Sequence, residues 1–425
     1  MKKMLSKYIA TRYTLEQETA VLDKDNSYID EKANEEIINE LASQSYVDTH
    51  YAYSDVSFMI PATIAEEGEV WDNTKEKAVA GAKIALSTAR DITFKALDRT
   101  GRAIVDIAKA TTAKTKEYSD KYNRQELVAK TKLNTLKSDY NGILGKAKQQ
   151  HRISINDKAL FVADQPPESI NDLQAGIEAV NDLGYYLSRA YLDNMDEIAT
   201  AFAEVLNNNK NRVLFSTVKS SSELAEALEK IGFITNPEIK VHEDKKERGI
   251  YKRFNSDSLP GNRVFTYTTL DWNEKNGFTP WELLNAFSKQ SVALKRDKET
   301  VTRHQTVIID TPDTKSIQNA IDALDTLQQT LANLNRTVLK REVKDIHQKL
   351  IKAYTNKNGA IAQALAEVTN KAAVEALGDQ SAKAIKGFVQ GYDKWTSEVL
   401  VHYLAYAYKM LFVYMTAIQR IIKQY

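Results

Sequence analysis

The chain has 425 residues, a formal charge of +1 and no cysteine. That length suits one to three domains. The missing cysteine excludes disulfide frameworks, thiolate metal sites and a cysteine nucleophile, and it suits a reducing cytoplasm. Gly (15) and Pro (7) are scarce, while Ala, Leu, Lys and Glu are plentiful, so long helices are expected. With 43% hydrophobic and 27% charged residues, the composition is that of a folded soluble chain.

Residues 1–67 carry 6 Lys and Arg against 13 Asp and Glu, a net of −7, which leaves about +8 for the rest. Lys2 and Lys3 are followed by no apolar run, so no secretory signal is read here. One short helix over Asp30–Ser43, with Ile37, Ile38 and Leu41 on a face, is the only element expected in this acidic leader. The charge breaks within Ile64-Ala65-Glu66-Glu67-Gly68. Ala65-Glu66-Glu67 is a small-x-Glu triplet, open to two readings: a processing site, or part of a surface arm. Read as catalytic carboxylates, Glu66 and Glu67 have no support; a solvated acidic pair is favoured.

Residues 68–150 turn helical. Val79, Ala82, Leu86, Ala89, Thr93, Leu97, Ile104 and Ala108 step by three, four or seven and mark one face. No proline falls between Pro61 and Pro166, so a continuous helix from Asn73 to Tyr122 is expected, with a kink or break at Gly101 and loosening at Asn141-Gly142 and Gly145.

Residues 151–312 read as a mixed α/β region. Short strands are expected at Arg152–Ile155, Arg212–Val218 and Thr306–Asp310. The clearest is Arg263–Leu270, launched by the turn Leu259-Pro260-Gly261-Asn262. Ser169–Asn207 reads as one or two helices, Ser222–Ile231 as a short one and Asp244–Arg253 as a charged loop.

From residue 313 the chain is helical again. Ile317, Ile321, Leu324, Leu327, Leu331 and Leu334 form one stripe. Helices near Lys340–Tyr354 and Ala360–Leu377 follow. A last helix, Ser381–Tyr425, carries Leu400, Tyr403, Ala407, Leu411, Tyr414, Ile418 and Ile422 along one face. The whole is an α+β chain, predominantly α: a long N-terminal amphipathic helix, a small mixed middle and a C-terminal helical bundle.

Catalytic patterns are missing. The six histidines (50, 151, 242, 304, 347, 402) show no ligand spacing, so no metal site or cofactor is expected. No P-loop, dinucleotide fingerprint or nucleophile elbow occurs. An enzyme would have only the α/β middle region behind it. The basic excess is localised: residues 69–150 hold 17 Lys and Arg against 10 Asp and Glu. Lys109, Lys114, Lys116, Lys121, Arg124, Lys130 and Lys132 crowd one stretch, which could hold phosphates without reading sequence; the competing reading is a solvated helix face. Val399–Ile418 approaches a membrane-spanning length. Lys409 near its middle would cost about 2.5–3.5 kcal/mol on insertion, so a buried or partner-facing helix is favoured over a membrane-active one. Its tyrosines (403, 406, 408, 414, 425) call for hydroxyl partners.

Taken together these pieces resemble the internal head proteins (inner-body, prohead-core-derived) of large tailed bacteriophages. The resemblance rests on the acidic leader ending at Ala65-Glu66-Glu67, the Lys/Ala-rich helix after Trp71, the strand at Arg152–Ile155 and the helix through Leu173, Leu183, Tyr186 and Tyr191. It rests further on the turn Leu259-Pro260-Gly261-Asn262-Arg263 and the closing Ile421-Ile422-Lys423-Gln424-Tyr425. It covers most of residues 60–425. It implies a non-enzymatic virion protein, made in the bacterial cytoplasm and packed inside the capsid beside DNA and other internal head proteins, with ejection left open. It also implies that a phage maturation protease removes the leader, cutting after Glu67, between Glu67 and Gly68. Ala33-Asn34-Glu35 is a second available triplet; Ser221-Ser222-Glu223, Ala227-Leu228-Glu229 and Ala373-Val374-Glu375 fall in expected helices, where a protease cannot readily extend the backbone.

Overall fold

The proline-free stretch becomes a single helix. Helix α1 runs Thr74–Ile143, 70 residues or about 105 Å at 1.5 Å per residue. A computed structural model of the chain describes residues 74–155, 158–207, 240–243, 251–270, 280–297, 307–355 and 371–425. The leader, Ala65–Gly68, Arg212–Val218 and Ser222–Ile231 lie outside the described residues, as do parts of the Asp244–Arg253 and Ala360–Leu377 readings.

The break expected at Gly101 does not occur: α1 is one continuous helix across it. A glycine inside a helix costs only about 1 kcal/mol relative to alanine. A break would leave up to eight backbone groups unpaired at the two new ends. The helix stops instead where Gly145 takes a φ of +80° and Lys146 N–H bonds Ile143 O at 2.9 Å.

Strand β1 (Arg152–Ile155) pairs antiparallel with the late strand β6 (Val307–Asp310), Ile153 opposite Ile309. Ile153, Ile155 and Ile309 are buried, while Arg152 and Asp310 pair at 3.3 Å on the exposed side. Helices α2 (Ile170–Ser188) and α3 (Ala190–Asn207) follow. Helix α2 begins with a capping box: Asp172 N–H bonds the Ser169 hydroxyl, and Ser169 N–H bonds the Asp172 carboxylate at 2.9 Å.

The middle sheet is antiparallel, in the order β2 (Val241–Glu243), β3 (Tyr251–Ser256), β4 (Arg263–Leu270), β5 (Val292–Arg296), with α4 (Pro280–Ser288) between β4 and β5. Tyr251–Arg253, expected in a charged loop, belong to β3. Its two charges, Lys252 and Arg253, are adjacent and lie between Tyr251 and Phe254, and Phe254 stacks on Tyr267 of β4 at 5.1 Å. The cross-strand partner decides the element, and local composition does not show it.

The Leu259–Asn262 turn has Gly261 and Asn262 in left-handed conformations (φ +73° and +53°). Both their N–H groups reach Phe161 O, at 2.8 and 3.3 Å. Asn262 accepts from Asp164 N–H at 3.0 Å. The turn therefore ties the sheet to the loop before α2.

The C-terminal part is α5 (Thr314–Asn333), a π-helical segment Leu334–Glu342 and α6 (Val343–Thr355), then α7 (Lys371–Asp393), a second π segment Lys394–Glu398 and α8 (Val399–Ile422). The two expected helices after Thr314 are thus one helical path, and the expected last helix is a longer path widened at Lys394–Glu398. The chain is mostly helical, with small antiparallel sheets in its middle. Helix α8 lies in the core, packed on α2, α5, β5 and β1. Leu400, Tyr403, Ala407, Leu411, Tyr414 and Ile418 are buried, as the stripe requires, while Lys409 is exposed.

Several buried tyrosines have found partners on other elements, whereas the hydroxyls of Tyr186 and of Tyr408, the latter expected to need one, have none among the described residues. Tyr403 donates to Val180 O at 2.7 Å, Tyr191 to Trp395 O at 2.7 Å, Tyr392 to Met195 O and Tyr122 to Val401 O at 2.9 Å. Burial pushes the phenols of Tyr191, Tyr392, Tyr403 and Tyr414 above the ordinary value. A raised folded-state pKa gives stability that is fully present below the unfolded value near 10 and is lost as pH rises through the folded values. Absorbance titration near 295 nm should therefore show two tyrosine classes. One ionises reversibly near pH 10; the other ionises only together with loss of helical circular dichroism. A single class titrating near pH 10 with helicity intact would contradict the burial.

Candidate nucleic-acid interface

Helix α1 offers two opposite faces. Ala108, Thr111, Thr115, Ser119, Tyr122, Glu126, Ala129, Leu133, Leu136 and Ile143 are buried. At roughly 100° per residue they fall on one stripe. Lys109, Lys114, Lys116, Lys121, Arg124 and Lys130 lie on the remaining circumference and are exposed. From Lys109 to Lys130 the cations run about 30 Å along the axis, with exposed Glu117 and Asp120 among them. No ion pair among the described residues holds these six side chains. Lys132 differs: it is half-buried and stands over the Phe412 ring, 5.2 Å from its centroid, where the ring face stabilises the ammonium.

The underside holds α1 in a groove between α8 and the α5–π segment. On one side Tyr122 stacks on Tyr408 at 5.7 Å, and Gln419 bonds Asp139 at 3.4 Å. On the other, Lys137 pairs with Asp325 at 3.0 Å. Asn335 donates to Asn123 Oδ1 at 2.9 Å, and Arg336 embraces the buried Glu126 carboxylate with two nitrogens. Further toward the N-terminus, Thr111 donates to Asp393 at 2.6 Å. The same carboxylate oxygen lies 3.1 Å from His347 Nε2, while Nδ1 of that ring lies 2.6 Å from Val343 O.

The structure thus leaves six of the seven sequence-singled cations exposed around the solvent side of α1, spread over about 200° of its circumference, and engages the seventh. Sequence reasoning missed the polar underside: His347, Asp393, Asn335, Arg336 and Glu126. A signal was available. Thr111, Thr115 and Ser119 continue the apolar stripe in steps of four, where a purely apolar partner would have called for Leu or Ile.

Elsewhere, Gln174, Glu178, Asn181, Asn319, Asp322 and Thr326 line an open groove of about 360 Å³ between α2 and α5. Among the described residues no three His, Asp or Glu side chains are grouped to hold a metal ion, and no helix is long and apolar enough to cross a membrane. The near-spanning stretch Val399–Ile418 is part of the core helix α8.

A family model for phiKZ-like phage internal head proteins matches residues 77–420. No curated protein and no solved structure matches the chain.

The Glu126 pair differs from the Lys137 pair in burial: the Glu126 side chain is 7% exposed, that of Asp325 35%. Arg336→Ala leaves a buried carboxylate without its cation and should cost about 2 kcal/mol. Lys137→Ala loses a half-exposed pair and should cost less than about 1 kcal/mol. Urea unfolding of the two variants measures both; equal losses would show that Glu126 does not depend on Arg336.

Proposed function

The chain belongs to the family of phiKZ-like phage internal head proteins, and from that membership we infer that it packs inside the capsid as a structural protein, with the outer face of α1 against packaged DNA. The observation that carries the contact is the set of six exposed cations along about 30 Å of α1, none in an ion pair among the described residues. Such a set neutralises phosphates and releases counterions, and it places no side chain to read bases. Binding by this face is sequence-independent, as suits a protein packed beside any part of a genome. The partners are DNA, other internal head proteins and the capsid wall.

Binding of the protein to a labelled duplex should weaken steeply with salt. Six phosphate contacts would give a slope of about −5 in log K against log salt. Lys116→Glu, Lys121→Glu and Arg124→Glu together should make that slope shallower by about 3 with the circular dichroism unchanged. Unaltered affinity and slope in the triple variant would remove this face from the reading.

The second part of the reading is maturation. A phage protease removes the acidic leader, cutting after Glu67 within Ala65-Glu66-Glu67-Gly68. Two features support it: the charge changes sign there, and α1 begins at Thr74, six residues beyond Gly68. The cut would separate a leader of −7 from a basic body beginning beside the DNA-facing helix. Mass spectrometry of N-termini from purified virions should find Gly68 first; a mature protein still starting at Met1 or Lys2 would overturn it.

A further inference from the structure

The buried stripe of α1 changes character along its length. From Ala129 to Ile143 it is Ala129, Leu133, Leu136 and Ile143, all apolar. From Ala108 to Ser119 it is Ala108, Thr111, Thr115 and Ser119, all small and three of them hydroxylic. Tyr122 stands at the border: it is 2% exposed, stacked on Tyr408 and bonded to Val401 O. Burial stabilises in proportion to apolar area, so these two segments of α1 are held with different strength.

Of the three hydroxyls in Ala108–Ser119, that of Thr111 alone bonds the body, through Asp393 at 2.6 Å. Thr111 has Ile107 O within 3.0 Å, and Thr115 donates to Thr112 O at 3.0 Å, both on α1 itself. Ser119 Oγ has no hydrogen-bond partner, nor has Asn335 Oδ1, although the Asn335 amide reaches Ser119 O at 3.3 Å. Parting these surfaces lets water reach both orphaned atoms, an exchange that favours opening. Against it stand the Asn335 amide on Ser119 O and the Asp393 carboxylate, whose oxygen also lies 3.1 Å from His347 Nε2 and 3.3 Å from Ser397 Oγ and so keeps other partners when Thr111 leaves.

We propose that α1 is a strap that opens locally: Ala108–Ser119 peels from the body and recloses while Tyr122 and the Ala129–Ile143 stripe stay docked. Its intrahelical bonds persist, so the strap moves as a helix. Lys109, Lys114 and Lys116 move with it, and the outer face can follow a surface that the body alone would not fit. The opening is a property of the underside and does not depend on what the outer face binds.

The cysteine-free chain makes the test direct. Ser119→Cys, a near-isosteric change at a 1% exposed position, reports on the strap. Ala129→Cys, at a 0% exposed position of the same helix, reports on the anchored half, and Ala199→Cys in α3, also 0% exposed, reports on global unfolding. Thiol labelling of the full chain under native conditions should be more than about tenfold faster at position 119 than at 199, because local opening needs less free energy than global unfolding. Position 129 should follow 199. Labelling at 119 within tenfold of 199 overturns the proposal, and so does labelling at 129 as fast as at 119. Should Ala129→Cys fail to fold, the comparison of 119 with 199 decides.

Discussion

The fold depends on tyrosine hydroxyls that bond main-chain carbonyls of a different element. A helical carbonyl spends one lone pair inside its own helix and keeps a second. Tyr403 takes that of Val180 in α2, Tyr392 that of Met195 in α3, Tyr122 that of Val401 in α8 and Tyr191 that of Trp395. Tyr406 bonds Pro260 O in the left-handed turn at 2.9 Å, and Tyr425 bonds Pro312 O ahead of α5. Each bond adds about 1 kcal/mol at best, less than the apolar burial of the same ring. Its greater effect is on register. A leucine stripe tolerates a slide of one turn, whereas a buried phenol that slides loses its acceptor and costs more than the bond was worth. The glycines of α2 fit this scheme. A Cβ on Gly184 would meet the Tyr403 hydroxyl, and one on Gly176 that of Tyr414, so α2 is shaped to let two phenols approach its backbone.

The two π segments belong to the same arrangement. Each interrupts a long helix where it faces α1 or its neighbours, and Val343 N–H bonding Val338 O marks the widened turn. The first brings Asn335 and Arg336 to Asn123 and Glu126. The second brings Trp395 to both Tyr191 and Gln290 O, and begins beside Asp393, which takes Thr111. Widened turns re-aim side chains that a regular helix would send elsewhere. Here they aim polar groups at the one helix whose stripe contains hydroxyls.

Much of this was legible in the residues, and what was not has identifiable causes. The stripe Leu400 to Tyr425 and the stripe Ile317 to Leu334 gave buried faces because 3.6-residue periodicity is a local property. The strand Arg263–Leu270 was legible from its β-branched and aromatic residues. Strands β3 and β5 were not, since Tyr251–Ser256 and Val292–Arg296 are made strands by β4 between them and carry Lys252, Arg253, Lys295 and Arg296. Gly101 misled because glycine's local preference was set against a helix whose cooperativity spans 70 residues. The cations of α1 were legible as a cluster and in their shared outward face. The burial of Glu126 was not: a single carboxylate on a helix reads as exposed until Arg336, 210 residues away in the chain, is known to cover it.

The two faces of α1 answer to different physics, and the separation has consequences. Exposed lysines contribute little to folding, so the outer face is free to be as basic as its partner requires. The underside docks α1 on the body, and among the described residues its apolar hold is concentrated between Ala129 and Ile143, away from Lys109, Lys114 and Lys116. A charged partner that pulled on those lysines would load the more weakly held of these two segments. Had the stripe been leucine throughout, the outer face would be fixed to the body, and any mismatch with a curved polyanion would cost contacts. With hydroxyls at Thr111, Thr115 and Ser119, the proposed opening would leave the core behind Tyr122 closed.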